Sequence, residues 1–309
     1  MVRVPGEDPT VSVVLPTYNE RESILAVLHD LAWALDTPGY EWEVIVVDDD
    51  SPDRTWELVR ESYDDQSRVR VIRRTEQSGL SSAVLRGFSE ANGQTLVCMD
   101  ADGQHPAGQV PALVDAADES IAVGSRHCDG GNIDGWPYTR KVISAVAGRI
   151  SHFTIPSSRP LSDPMSGFFA VDADILDNEI FVDADPHGYK ILLELLVVSD
   201  ASVSEVPITF DTRDAGESKL TADEQVRFLE HSVDLGLADR GLDLNAPVLI
   251  RSIELGLMTG TSILLLLSGI IIGGLDGAVG AGLIGSSGSL LVLGTLRWLE
   301  TESSWEDSA

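Results

Sequence analysis

The chain has 309 residues, 43% of them hydrophobic, with 21 Lys and Arg against 50 Asp and Glu, a formal net charge of −29. That length accommodates one large α/β core with a smaller appendage, and the absence of any basic stripe argues against a nucleic-acid role, since phosphate backbones draw on clustered Lys and Arg. Two cysteines thirty positions apart, Cys98 and Cys128, argue against a disulfide framework or a thiolate metal site.

The acid surplus, with only three lysines (Lys141, Lys190 and Lys219), fits a surface kept hydrated in concentrated salt, which also screens its self-repulsion. Met1 to Thr10 carries no apolar run beside a basic patch, so no secretory signal is read there. Short β-branched runs then alternate with amphipathic stretches: Val11 to Leu15, Val44 to Val47, Val69 to Ile72, Leu96 to Met99 and Ile121 to Val123. This alternation predicts an α/β fold, a parallel sheet with helices on both faces. Helices are expected to start near Ser78 and Pro106, and one to stop at Gly93.

In open parallel sheets ligands bind beyond the carboxyl ends of the strands, so the residues after each run are the informative ones. Strand one runs into Pro16-Thr17-Tyr18-Asn19-Glu20 and strand two into Asp48-Asp49-Asp50-Ser51. The fourth runs into Asp100-Ala101-Asp102-Gly103-Gln104 and the fifth into Gly124-Ser125-Arg126, so four polar clusters predict one cleft. Asp100 and Asp102, two apart at a strand end, can point at one hard cation and with Gln104 offer oxygen ligands to Mg²⁺ or Mn²⁺. A lone D-x-D is ordinarily a solvated turn; the apolar run before this one and the matching acidic end of strand two set it apart. His105 is expected to be an exposed turn histidine, with an approach to the metal as the alternative.

Farther along, Arg140 and Ser144 lie one helical turn apart, so guanidinium and hydroxyl can face one anion. Trp136 and Pro137 either seat this segment at a membrane interface or pack a loop. Lys190 opens an apolar helix, Ile191 to Val198, in which Glu194 is the exception; an ion pair between the two is the structural expectation. Leu255 to Leu275 and Gly277 to Leu296 are free of charge and each about 20 residues long, enough to cross the hydrocarbon layer as a helical hairpin. Arg240, Arg251 and Arg297 flank the pair and its turn has no Lys or Arg, so the positive-inside rule puts the rest of the chain in the cytoplasm. The hairpin's glycines allow close helix contact, within one chain or in a homodimer.

PTYNE, VVDDDSPDRTWE, VIRRTEQSGLSSAVLRGF, MDADGQHP, GSR, WPYTRKVIS, DPMSGFF, GYKILLELLV and RDAGESKL stand in an order and spacing that resembles family-2 GT-A glycosyltransferases of the dolichol-phosphate mannose synthase type, from Val11 to Leu220. With the acid surplus, the resemblance points to an archaeal, halophilic member. It implies a GT-A domain over 1–220, a connecting helix and linker over 221–250, a transmembrane hairpin over 251–298 and an acidic tail over 299–309. By the same resemblance Pro16, Tyr18, Glu20, Val47 and Asp49 hold the nucleoside, Asp49 accepting from the base. Asp100, Asp102 and Gln104 carry the metal, and Arg213 and Lys219 close over the donor diphosphate. Arg126, Arg140 and Ser144 bind the acceptor phosphate, while Asp163 and Ser166 to Phe169 shape the sugar and lipid end, a core strand being the alternative for the two phenylalanines.

The implied reaction moves one hexose, mannose from GDP-mannose, to a dolichyl or polyprenyl phosphate with inversion, at the cell membrane. That acceptor is already anionic, so no general base is expected. The competing expectations are a UDP-glucose enzyme of the same architecture and a non-catalytic membrane scaffold. A processive polysaccharide synthase is disfavoured by the missing Q-x-x-R-W.

Overall fold

The computed structural model describes residues 10–63, 68–76, 78–133, 135–136, 138–176, 190–199, 201–210 and 231–240. Arg213, Lys219, the expected hairpin and the acidic tail lie outside these residues. Among the described residues no helix is long and apolar enough to cross a membrane.

The five expected strands form as β1 (Val11–Thr17), β2 (Trp42–Asp48), β3 (Val69–Arg73), β4 (Thr95–Cys98) and β5 (Ser120–Ser125). Four more, β6 (Asn132–Ile133), β7 (Phe169–Asp172), β8 (Ser202–Pro207) and β9 (Thr209–Phe210), complete a seven-stranded sheet of order β3-β2-β1-β4-β7-β5-β8 and a two-stranded sheet of β6 and β9. The described helices are α1 (Ile24–Asp36), α2 (Thr55–Tyr63), α3 (Leu80–Glu90), α4 (Val110–Ala116), α5 (Tyr138–Thr154) and α6 (Ile191–Val198), followed by a helical segment at 231–238.

The apolar runs are continuous because both sheet faces are covered. Val11, Val13 and Leu15 of β1, with Trp42, Val44 and Val46 of β2, join Leu28, Leu31 and Leu35 of α1 and Val110 and Leu113 of α4 in one cluster. Val14, Ile45 and Val47 point the other way, to Val84 and Phe88 of α3 and Leu192 and Leu195 of α6. The expectation of a purely parallel sheet is corrected at one place: β7 runs antiparallel between β4 and β5, pairing Phe169 with both Cys98 and Val123. Its buried residues, Phe169, Ala170 and Val171, carry no local sign of their direction.

One close approach sets how α3 sits. A Cβ on Gly87 would stand 2.3 Å from Cγ1 of Val14, in the middle of β1. Gly87→Ala gains up to about 1 kcal/mol of helix propensity but must displace α3 from a packed sheet, an overpacking cost of about 1–3 kcal/mol. Net destabilisation is expected, read as a lower denaturant midpoint with an unchanged slope.

Candidate active site

The strand order reverses between β1 and β4, since β2 and β3 extend one way from β1 and the rest of the sheet lies the other way. A crevice opens at such a switch point, beyond the carboxyl ends, and the β1 and β4 loops are the two that flank it. They are stitched together: Ser23 Oγ donates to the Ala101 carbonyl at 2.8 Å and contacts Glu20 Oε2 at 3.3 Å. The β2 loop joins through Asn19 N to Ser51 Oγ, 3.0 Å, and Glu20 N to Thr55 Oγ1, 3.2 Å. Asp48, fully buried, ties Ser51 back through its N–H and hydroxyl at 2.8 Å each; burial pushes its carboxyl up, and these two bonds offset part of the shift.

In the β4 loop, Asp102 is 8% exposed and Gln104 3%, and the Gln104 N–H donates to Asp102 Oδ1 at 3.0 Å. Gly167, just ahead of β7, faces the Asp100 carboxylate so closely that a Cβ would stand 3.3 Å from Oδ2. Two carboxylates and an amide from one loop are hard oxygen donors of the kind Mg²⁺ or Mn²⁺ takes. Among the described residues no three His, Cys, Asp or Glu side chains gather to hold an ion by themselves. The loop thus offers oxygen donors of the type such a cation takes when ligand phosphates supply the rest of its shell.

His105 is not the exposed turn histidine the sequence predicts. It is 7% exposed, stacked on Phe168 at 5.2 Å and edge-on to Phe210 at 5.0 Å between centroids. Its Nδ1 accepts the Asp100 N–H at 3.1 Å, which places the neutral ring's proton on Nε2. Burial above all lowers its pKa to about 4, with the Asp102 charge acting in the opposite direction. In the unfolded chain the ring takes its proton near 6.5, so the stability it contributes is fully present above that pH. It is lost as pH falls from about 6.5 to 4, by as much as about 3 kcal/mol. An unfolding midpoint that declines over this window in the wild type, and less steeply in His105→Gln, is the expected result.

Asp49, at the end of β2, is gripped on both oxygens. Arg74 Nε donates to Oδ1 at 2.6 Å and the Gly79 N–H to Oδ2 at 2.8 Å. Pro16 is buried and paired in register with Val47, which is 0% exposed in the sheet core directly ahead of Asp48 and Asp49. Tyr18 is 47% exposed beyond β1.

Arg126 follows β5 and forks onto Asp163, Nε to Oδ2 at 2.6 Å and Nη2 to Oδ1 at 2.8 Å, with its own N–H on Oδ2 at 3.1 Å. Burial alone would raise the Asp163 carboxyl, but these bonds and the guanidinium charge outweigh it and hold it below its ordinary range. The Trp136 and Phe210 rings stand 5.4 and 5.3 Å from the guanidinium carbon. Arg126 is thus already paired with a carboxylate. Arg140 lies in the first turn of α5, and Ser144, a turn later, lines a cavity of about 290 Å³ with Gly148, Arg149, His152, His127 and Asp163. Glu194, 1% exposed, meets His231 Nε2 at 3.4 Å from the segment 231–238, whereas Lys190 feels chiefly burial, which lowers its pKa, and the Asp100 charge, which raises it.

Sequence reasoning did not single out Arg74, Phe210 or Arg149. Arg74 directly follows β3 and was open to the strand-end rule; Phe210 and Arg149 carry no local signal.

Residues 12–177, over half of the chain, match the family described as Glycosyl transferase family 2. The chain belongs to that family. The family-2 enzyme is 46% identical over 224 residues to a dolichol-phosphate mannosyltransferase of Pyrococcus furiosus, covering 72% of this chain and 62% of that one. It is 40% identical to the dolichol-phosphate mannosyltransferase of Saccharomyces cerevisiae, covering 72% and 86%, and 35% identical to a polyprenol monophosphomannose synthase of Mycolicibacterium smegmatis, covering 70% and 85%. The chain spans less than two thirds of the Pyrococcus relative's length. In fold, this glycosyltransferase is similar to glucosyl-3-phosphoglycerate synthase of Mycobacterium tuberculosis, crystallised with Mn²⁺, UDP-glucose and phosphoglyceric acid. The TM-score is 0.55 at 20% identity, covering 76% of this chain and 81% of that one. That likeness supports the GT-A reading of the domain, a mostly parallel Rossmann-like sheet.

Proposed function

We propose that the protein transfers one mannose from GDP-mannose to a dolichyl or polyprenyl phosphate with inversion. The observation that carries this is the identity of 35–46% to relatives that bear mannosyl-transfer names in Pyrococcus, yeast and Mycolicibacterium, over alignments that take in 70–72% of the chain. The stitched β1, β2 and β4 loops support a donor site in which Pro16, Tyr18, Glu20, Val47 and Asp49 frame the nucleoside, and Asp100, Asp102 and Gln104 would hold Mg²⁺ or Mn²⁺ for the diphosphate. Bound there, the cation supplies charge neutralisation to the departing diphosphate. Arg213 and Lys219 are assigned to the same diphosphate by the order of the motifs.

The Ser144 cavity supports an acceptor site with Arg140 and Ser144 on the lipid phosphate and Arg126 holding the β5 loop to Asp163. The acceptor oxygen needs no base, so these residues position it behind the anomeric carbon. Val146 and Phe153, 47% and 81% exposed on α5, favour contact with lipid. The reading includes the domain limits 1–220, 221–250, 251–298 and 299–309, the hairpin as a multi-pass anchor with the catalytic part cytoplasmic, a homodimer through it, and a cell rich in salt.

Incubation of the purified protein with labelled GDP-mannose or UDP-glucose and dolichyl phosphate in high salt is expected to carry the mannose label into the lipid phase. Entry of glucose instead overturns the sugar assignment, and entry of neither overturns the activity. Arg140→Ala should raise the Michaelis constant for the lipid about ten- to a hundredfold, the worth of one charge-assisted bond, with that of the nucleotide-sugar unchanged. A shift in the nucleotide-sugar constant alone would misplace the acceptor site.

A further inference from the structure

Three aspartates in a row end β2, and their surroundings separate them. Asp48 is turned inward onto Ser51. Asp50 is 45% exposed and meets Arg73 at the surface. Asp49 alone is held as a rigid acceptor. Arg74, whose side chain is 6% exposed, grips Oδ1 through Nε and Nη2 while Nη1 donates to Ser82 Oγ at 2.9 Å and Nη2 to the Gly79 carbonyl at 3.0 Å. Gly79 returns its own N–H to Oδ2 at 2.8 Å. At φ +128° it holds a backbone conformation that L side chains rarely adopt, which lets one residue offer its carbonyl to Arg74 and its N–H to Asp49. The Arg74 N–H donates to the Asp48 carbonyl at 2.8 Å, anchoring the guanidinium's own base to β2.

A carboxylate paired in this way accepts hydrogen bonds and donates none, and it cannot turn about its last torsion without breaking the fork. Guanine at N1 and uracil at N3 present a ring N–H to such an acceptor. Adenine and cytosine present a ring lone pair at the corresponding place, and two acceptors face to face leave both unsatisfied.

We propose that Arg74 is a positioning residue for donor selectivity: by fixing the Asp49 carboxylate as an acceptor, it makes the site take guanine or uracil nucleotides and refuse adenine and cytosine ones. The inference rests on the proposed reading of Asp49 as the contact to the base. Arg74 itself faces protein on every nitrogen and is assigned no contact with the ligand.

The test is calorimetric binding of GDP, UDP, ADP and CDP, with Mg²⁺, to the full chain in detergent. Wild type should bind its preferred nucleotide at least about tenfold tighter than ADP and CDP. Arg74→Gln and Arg74→Lys, the second keeping the charge without the fork, should each narrow that ratio by about tenfold while ADP affinity changes less than about threefold. A purely structural role would weaken all four alike, and that result, or an unchanged ratio, overturns the proposal. Asp49→Asn separates the two layers. If it leaves the ratio unchanged, the base-contact reading fails and the proposal with it; if it narrows the ratio and the Arg74 variants do not, the positioning role alone fails. Should Arg74→Gln not fold, Arg74→Lys carries the comparison.

Discussion

Asp102→Asn is expected to lower hexosyl transfer by about a thousandfold with the fold intact. The amide oxygen of asparagine can still accept the Gln104 N–H that Asp102 Oδ1 takes at 3.0 Å, so the loop keeps its internal bond. What disappears is one negative charge from the carboxylate pair proposed to hold the cation together with ligand phosphates. Loss of one group that stabilises leaving-group charge costs about 10²- to 10³-fold, and weaker cation affinity adds to it. Initial rates across a Mn²⁺ titration, with the unfolding midpoint as a control, check this. A variant that recovers full rate at modest Mn²⁺ would show Asp102 outside the cation site, and full wild-type activity in excess chelator would remove the cation altogether.

Arg126→Met is expected to be among the most destabilising single changes in the described chain. Its side chain is 9% exposed and that of Asp163 1%, so deleting the guanidinium strands a buried carboxylate whose remaining partners include the Arg126 N–H at 3.1 Å. Breaking a buried pair from one side costs about 3–5 kcal/mol, and for a domain of this size that lowers the unfolding midpoint by on the order of 10 °C. Asp163→Asn in the same chain should restore part of the loss, because the stranded charge is gone; a double-mutant cycle in thermal unfolding measures the coupling. If Arg126→Met leaves the midpoint unchanged and raises only the Michaelis constant for the lipid, Arg126 belongs to the acceptor phosphate as the motif resemblance implies. Arg140→Ala is the contrast, expected to affect the lipid and not stability.

The first five strands, the polarity of the loops that end them and the helix at Ile191 to Val198 were readable because periodicity and strand-end polarity are local, whereas β6 to β9 were not singled out. The polar character of the strand ends that carry Asp49, Asp100, Asp102 and Gln104 is equally local. His105 shows where that reasoning stops. A histidine in a Gly-containing turn reads as solvated, and only the arrival of Phe168 and Phe210 from distant sequence buries it. Arg126 shows the same limit: its fork onto Asp163, from the segment before β7, has no local sign in the sequence.

The sequence by itself determined the first five strands, the two-sided burial of the sheet and the chemical character of the loops that end those strands, because side-chain period and polarity depend only on near neighbours. It also carried the family, through motifs whose spacing survives without any coordinates. Strand direction and partner choice were decided by tertiary structure. β7 enters antiparallel between β4 and β5, so its leading residues Ser166 and Gly167 arrive at the carboxyl end of the sheet, against Asp100, rather than at the far edge. The three apolar residues Phe169, Ala170 and Val171 fit either direction equally well as a buried strand; only the ladder with Cys98 on one side and Val123 on the other selects one, and with it the wall of the site.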